Sequence, residues 1–174
     1  MLLENPSKVC IIMVKENNMG QWKNGIYKVQ NPDKYMLPNK EVHYKSSLEE
    51  RMCYYLDNNT NVIRWQYEGF NIVYPKPIFE AGRLHHVEEH KYVLDFYAEI
   101  KDKDGTVKKY LLEIKSKSAT SPPIRPKKLT TKTSQRYLQE CALYAVNSNK
   151  WMTAKKWCND HGIIFKMVLD DAIL

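Results

Sequence analysis

The stretch DFYAEIKDKDGTVKKYLLEIKSK, from Asp95 to Lys117, decides how the middle of this chain folds. Asp104-Gly105 is a strong reverse-turn signal, and the flanking runs HKYVLDFYAEI and VKKYLLEIKSK have strand composition. Counting back from the turn sets Asp95 opposite residues 112 to 114. Glu113 and Lys115, two apart, share one face of their strand. Three ionisable groups therefore cluster over two adjacent strands. Two neighbouring buried carboxylates are costly unless a cation stands between them. Lys115 answers that need in one of two ways. It is a structural partner on a half-exposed sheet face, or the cluster is a divalent-metal site. In the second case Asp95, Glu113 and the carbonyl of Ile114 offer hard oxygens to Mg²⁺, and Lys115 acts on an attacking water.

Outward from the hairpin, SSLEERMCYYLDNN predicts a helix from Ser46 or Ser47 to Asp57-Asn58-Asn59. It has a serine cap, acidic residues in its first turn and an apolar face through Leu48, Met52, Tyr55 and Leu56. VIRWQYEGFNIVYP predicts two short strands or one bent strand, interrupted at Glu68-Gly69 and ended by Pro75 and Pro77. IFEAGRLHHVEEH, residues 78–90, reads as a charged surface loop. After the hairpin, residues 116–133 form an exposed linker stiffened by Pro122, Pro123 and Pro126. Two helices are expected next, Ser134 to Asn147 on a stripe of Leu138, Cys141, Ala142 and Ala145, and Lys150 to Asp160 on Trp151, Ala154, Trp157 and Cys158. IIFKMVL is the final strand. The order implies an α/β (α+β mixed) domain, a mixed sheet with helices packed on it.

Residues 1–33 read as an N-terminal arm and 34–174 as the domain. Within the arm, Val9 to Val14 is one short strand candidate, and Trp22 the tryptophan most suited to a partner contact. Trp65, Trp151 and Trp157 belong in the core. A length of 174 residues fits one domain. The apolar run at residues 9–14 is far too short to span a bilayer and lacks a signal-peptide layout. That implies no membrane partner and a cytoplasmic setting. The cysteines at 10, 53, 141 and 158 form no C-x-x-C pair, and Cys53, Cys141 and Cys158, in helical patterns, read as buried thiols. His85, His86 and His90 with Glu88 and Glu89 lack an H-E-x-x-H arrangement and read as a solvated patch.

The formal charge is +7, with 27 Lys and Arg against 20 Asp and Glu, which favours an acidic partner. Between Lys115 and Arg136 every charged residue is basic. Lys117, Arg125, Lys127, Lys128, Lys132 and Arg136 make the best nucleic-acid surface, through phosphate contacts.

With these pieces in place, the hairpin with Asp95, Glu113 and Lys115 resembles the PD-(D/E)xK nuclease superfamily. From about Lys34 to Leu174 the chain resembles the T4-like phage head completion nucleases and, more distantly, TnsA-type endonuclease N-terminal domains. The segments that carry it are YKSSLEERMCYYLDNNTNVIRW, YVLDFYAEI, LLEIKSKSATSPPIRPKKLT and VNSNKWMTAKKWCNDHGIIFKMVLDD. The resemblance implies a restriction-endonuclease-like core and a Mg²⁺-dependent endodeoxyribonuclease acting on double-stranded DNA, with Mn²⁺ as a substitute. It places a Tyr-Arg/Lys-Ser-x-x-Glu signature on Tyr44, Lys45, Ser46 and Glu49, with Glu49 preferred to Glu50 as the helix-borne acid and Lys45 counted with the DNA-binding residues. The strand aspartate falls on Asp95, the metal ligands on Asp95, Glu113, Ile114 and Glu49, and the Glu-x-Lys on Glu113 and Lys115. Leu94, not proline, precedes Asp95, and a Gln-x-x-x-Tyr motif is absent, Gln139 following Gln135 at the fourth position. Gln135 stands as a possible accessory. The implied setting is a virion or assembling capsid in a host cytoplasm, with portal or neck proteins as partners. A transposition end-cutting nuclease and a non-catalytic DNA-gripping head or neck protein are the alternatives.

Overall fold

The computed structural model describes residues 24–170; the Val9–Val14 strand, Cys10 and Trp22 lie outside them. The Asp104-Gly105 turn forms as its sequence dictates. Gly105 N donates to the Asp102 carbonyl at 3.0 Å and Thr106 N to Asp104 Oδ1 at 2.9 Å. It joins β4 (Arg83–Lys101) to β5 (Val107–Lys115), paired antiparallel from Lys101↔Val107 to Phe96↔Leu112. β3 (Val62–Glu80) lies on the far side of β4, and β6 (Ile164–Leu169) runs parallel to β5. The order β3-β4-β5-β6 is the mixed sheet expected.

Residues 78–90 are not a loop. β3 and β4 are each 19 residues long and form one hairpin, which at about 3.3 Å per residue reaches roughly 60 Å. Its two-residue turn, Ala81-Gly82, has φ of 46° and 76°, the left-handed pair a tight hairpin needs. Pro75 and Pro77 do not end β3, because it is an edge strand. Residues two apart direct their main-chain groups to the same side, so both missing N–H groups fall on the open edge. The Pro75 carbonyl on that edge accepts from Asn149 Nδ2 at 2.8 Å. The interruption at Glu68-Gly69 is a bulge: Glu68 has φ 44° and the register slips between Tyr67 and Phe70. A Cβ on Gly69 would meet the side-chain ends of Gln66 and Leu37 at 2.7 and 2.8 Å, so a larger residue there must displace them.

The two expected helices are one, α2 (Thr131–Asp160), about 45 Å long at 1.5 Å per residue. No glycine or proline breaks it, and Asn147-Ser148-Asn149 is polar without being a terminator. It starts earlier than Ser134 because Thr130 caps it, exchanging hydrogen bonds with Thr133. Its expected N-terminal stripe is not core. Leu138 is 44% exposed and covers Gly82 at the hairpin tip, and Cys141, Ala142 and Ala145 are half-buried. Burial is complete only at Ala154 and Cys158, with Trp151 and Trp157 packed beside them.

α1 (Ser47–Asn58) forms as expected, capped by Ser46, whose Oγ accepts from Glu49 N at 3.2 Å. Met52, Cys53 and Leu56 join Trp65, Phe96, Leu112 and Ile114 on one side of the sheet. Ala154 and Cys158 of α2 join Tyr92, Leu94 and Leu111 on the other. Helices on both faces explain why Leu111 to Ile114 are buried in succession. No helix among the described residues is long and apolar enough to cross a membrane.

Two short strands precede α1, β1 (Gly25–Tyr27) and β2 (Val42–Tyr44), paired with each other. The segment around β1 is pinned by Asp57 at the end of α1, which is fully buried. Its carboxylate accepts from Tyr27 Oη at 2.9 Å, Gln30 N at 2.7 Å and Asn31 N at 3.1 Å. Burial, and then this bond, hold the Tyr27 hydroxyl protonated well above its ordinary range. Asp57→Ala strands three donors, and urea denaturation should show a loss of about 3 kcal/mol, with Asp57→Asn recovering part of it.

Candidate active site

β4 and β5 separate at Asp95. Their last pair is Phe96↔Leu112, after which β5 continues along β6 (Glu113↔Met167, Lys115↔Leu169) and β4 continues along β3 alone (Phe70↔Leu94). Asp95 and Glu113 are thus the first residues beyond the shared ladder, at the mouth of the split. The Asp95 side chain bridges it, Oδ2 accepting from Ile114 N at 2.7 Å. Glu113 is 4% exposed. Lys115 Nζ lies 2.8 Å from Glu113 Oε1 and donates to the Ile114 carbonyl at 3.1 Å. Glu113 and Lys115 do share a face, and Asp95 lies beside them.

The charges at the split are unbalanced. Burial first, and the field of Glu113 second, push the Asp95 carboxyl up to about 7, while Lys115 and the Ile114 N–H only partly oppose them. Burial works against the charge of Lys115, yet Glu113, Asp95 and Glu49 together hold its ammonium above the ordinary lysine range. One cation thus serves several acids. Glu113 Oε2 is buried with no hydrogen-bond partner, and Asp95 Oδ1 has none among the described residues. These oxygens, with the Ile114 carbonyl, are a hard donor set suited to a small divalent cation that keeps most of its water. Among the described residues, no group of three or more His, Cys, Asp or Glu side chains converges into a metal cage. The protein's share of any coordination here is small.

Glu49 is near, and committed. Its Oε2 accepts from Tyr67 Oη at 2.7 Å and Lys45 N at 2.9 Å, and its Oε1 from Ser46 Oγ at 3.1 Å. Its charge still reaches Asp95 and Lys115. Glu50 turns instead toward Tyr44. The Lys45 ammonium pairs with Glu68 on the bulge.

Lys117 follows Lys115 by two residues, whereas Lys132 and Arg136 lie in the first turns of α2, whose Leu138 covers Gly82 at the far tip of the hairpin. Lys117, Arg125, Lys127, Lys128 and Lys132 are exposed, and Arg136 pairs with Glu140 one turn on, Nε to Oε1 at 2.7 Å. Lys117 N donates to Asp170 Oδ1 at 3.1 Å. Gln135 is exposed and makes no hydrogen bond with Asp95, Glu113 or Lys115. His86, Glu88 and His90 lie on one face of β4, the carboxylate between the rings at 2.7 and 3.0 Å, in an exposed row.

Three neighbours of the split carry no motif. Glu68 was visible only as an interruption in a strand. Tyr92 is buried, its hydroxyl without a partner and held protonated by burial and by Glu113. Lys150, from α2, lies over the rings of Tyr74 and Tyr92, and the fields of Glu113, Lys115 and Asp95 all reach it.

The sequence profile of the TnsA-like endonuclease N-terminal family matches residues 59–170. The chain belongs to this family. The matched span holds the whole four-stranded sheet and α2, and with them Asp95, Glu113 and Lys115; α1 and Glu49 precede it. The head completion nuclease of Enterobacteria phage T4 is 29% identical over 144 residues, covering 83% of this chain and 89% of its own. The nuclease kinship thus extends across the split in the sheet.

The raised Asp95 carboxyl has a consequence for stability. Between pH 4 and 7 the folded state binds a proton that the unfolded chain has released, so stability falls as pH rises through that window. Asp95→Asn removes the charge and keeps an acceptor for Ile114 N. In metal-free buffer the variant should be more stable than wild type at pH 8, with the gap closing toward pH 4, as read by denaturation midpoints.

Proposed function

We propose that this TnsA-like protein is a divalent-metal-dependent DNA endonuclease. The observation that carries this reading is the pairing of Asp95 and Glu113 at the split, with the Lys115 ammonium on Glu113. A purely structural cluster gains nothing from a buried, unpartnered carboxylate oxygen beside a second acid held partly protonated.

Asp95, Glu113 and the Ile114 carbonyl would hold Mg²⁺, with Mn²⁺ as a substitute. When bound, the cation supplies positive charge against the phosphoryl oxygens and acidifies nearby water. The chain's own residues do the rest. The Ile114 N–H fixes one oxygen of Asp95 and leaves the other to the site. Lys115, held charged by its neighbours, orients the attacking water and screens the negative charge that grows on phosphorus. Water oxygen bonds to phosphorus as one ester bond breaks, leaving a phosphomonoester and a hydroxyl. Glu49, anchored by Tyr67 and the α1 cap, adds negative potential from the side of the helix. Lys45, Lys117, Arg125, Lys127, Lys128, Lys132 and Arg136 grip the duplex by its phosphates, with Gln135, exposed beside Arg136, as an accessory.

The kinship with the phage T4 protein supports action on DNA ends in phage head completion after packaging, inside a virion or assembling capsid and beside portal or neck proteins. The TnsA-like profile supports a second reading, cutting at transposon ends. A protein that only grips DNA is the remaining contrast.

Plasmid nicking in millimolar Mg²⁺ or Mn²⁺ separates enzyme from grip. Wild type should nick, and Glu113→Ala should lose roughly a thousand-fold in rate while still binding; binding without cutting by both proteins overturns the enzyme. Neutralising Lys127 and Lys128 together should weaken binding on every sequence. It should also reduce the slope of log K against log salt by roughly 2, as measured by fluorescence anisotropy over a salt series.

A further inference from the structure

Lys150 sits where no helix stripe requires a lysine. It is half-buried near the middle of α2. Its Nζ lies 5.3 Å from the ring centre of Tyr92 and 5.6 Å from that of Tyr74. The two rings meet edge to face with centres 6.1 Å apart, and both are 3% exposed. Among the described residues the ammonium forms no ion pair. A cation drawn partly out of water and held only by ring faces gives up hydration for a modest return.

The acids of the split act on Lys150 without pairing with it. The Tyr92 hydroxyl is buried and faces the Glu113 carboxylate, while its ring lies under Lys150. On the same side are Lys115, Lys76 on β3, and the acids of the split, whose fields all reach Lys150. Two amines flanking a carboxylate pair fit a tetrahedral oxyanion seated beside those carboxylates. The rings give the lysine stem a fixed floor, so the amine is presented rather than trailing in solvent.

We propose that Lys150, seated on the Tyr74 and Tyr92 rings, forms a phosphodiester subsite that holds the substrate phosphate from the α2 side of the sheet, the side that also carries Lys115. Lys150 is a binding and positioning group here, and its role as a subsite of the reacting strand rests on the endonuclease reading above. The long uninterrupted helix has a use in this light: it carries the lysine from the basic linker to the split on one rigid rod.

The test uses Lys150→Met, which keeps the stem on the two rings, and Lys150→Arg, which keeps the charge. DNA binding is measured in the Glu113→Gln background by anisotropy over a salt series, and cleavage of linear duplex in Mn²⁺ with otherwise intact protein. Lys150→Met should reduce the salt slope by about 1, raise KM and lower kcat roughly ten- to hundred-fold, with an unchanged thermal midpoint. Lys150→Arg should restore most of the binding. A Lys150→Met protein that cuts and binds like wild type overturns the subsite while leaving the nuclease intact. If wild type does not cut at all, the endonuclease reading is what fails; the salt slope then decides Lys150 alone, a fall supporting a phosphate contact and an unchanged slope overturning it.

Discussion

Much depends on one main-chain amide. Ile114 N donates to Asp95 Oδ2, so a side chain takes the place of a strand at the point where β4 and β5 part. Without an acceptor there, the N–H of a buried central strand would stand unpaired, at a cost of about 1–3 kcal/mol. The bond closes the end of the ladder and at the same time fixes a carboxylate beside Glu113. Fold and site share that contact. The bulge at Glu68-Gly69, facing Asp95 from the other neighbour of β4, lets that strand leave β5 and follow β3. Phe96 then packs on the α1 side while Leu94 packs on the α2 side, so the sheet changes its inward face at Asp95.

Gathering acids in this way conflicts with stability. Buried carboxylates repel one another and lose hydration, and one ammonium answers for Asp95 and Glu113 with Glu49 close by. The surrounding core tolerates this because it is dense and aromatic. Trp65 is fully buried against Tyr35 at 4.7 Å between ring centres, and Tyr67 packs edge-on to Phe96 at 5.2 Å. Rigidity of this kind holds groups in an arrangement they would otherwise relax out of.

What could be read before any coordinates followed from local, short-range signals. Asp104-Gly105 set the turn, and the turn set the register that brings Asp95 beside Glu113. Ser46 with Glu49 set the start of α1. The failures came where tertiary placement overrides local rules. Pro75 and Pro77 stop a central strand but not an edge strand, and nothing in their neighbourhood says which β3 is. Residues 78–90 are charged because both faces of the distal hairpin are largely open to water, which gives a strand the composition of a loop. Asn147-Ser148-Asn149 is a weak helix segment, held by its contact with the sheet edge through Asn149 and Pro75. Splitting the helix there left Lys150 as a terminal residue with no role. The candidate site itself was legible in its E-x-K hairpin but not in Tyr92 or Lys150, which approach it through space from separate elements.

Glu49 shows how far a pattern of residues can be taken. Its position at the third residue of α1 is the place from which a glutamate reaches back to secure a helix start, and here it does so through Lys45 N and Ser46 Oγ. Tyr67 takes its remaining side. A carboxylate with three donors has little free valence for a cation. Its contribution to the split is therefore its charge, delivered from a fixed place, more than its oxygens. Asp95 and Glu113 are the reverse: each keeps an oxygen without a hydrogen-bond partner among the described residues, and that difference in hydrogen bonding, rather than residue type, sets them apart from Glu49.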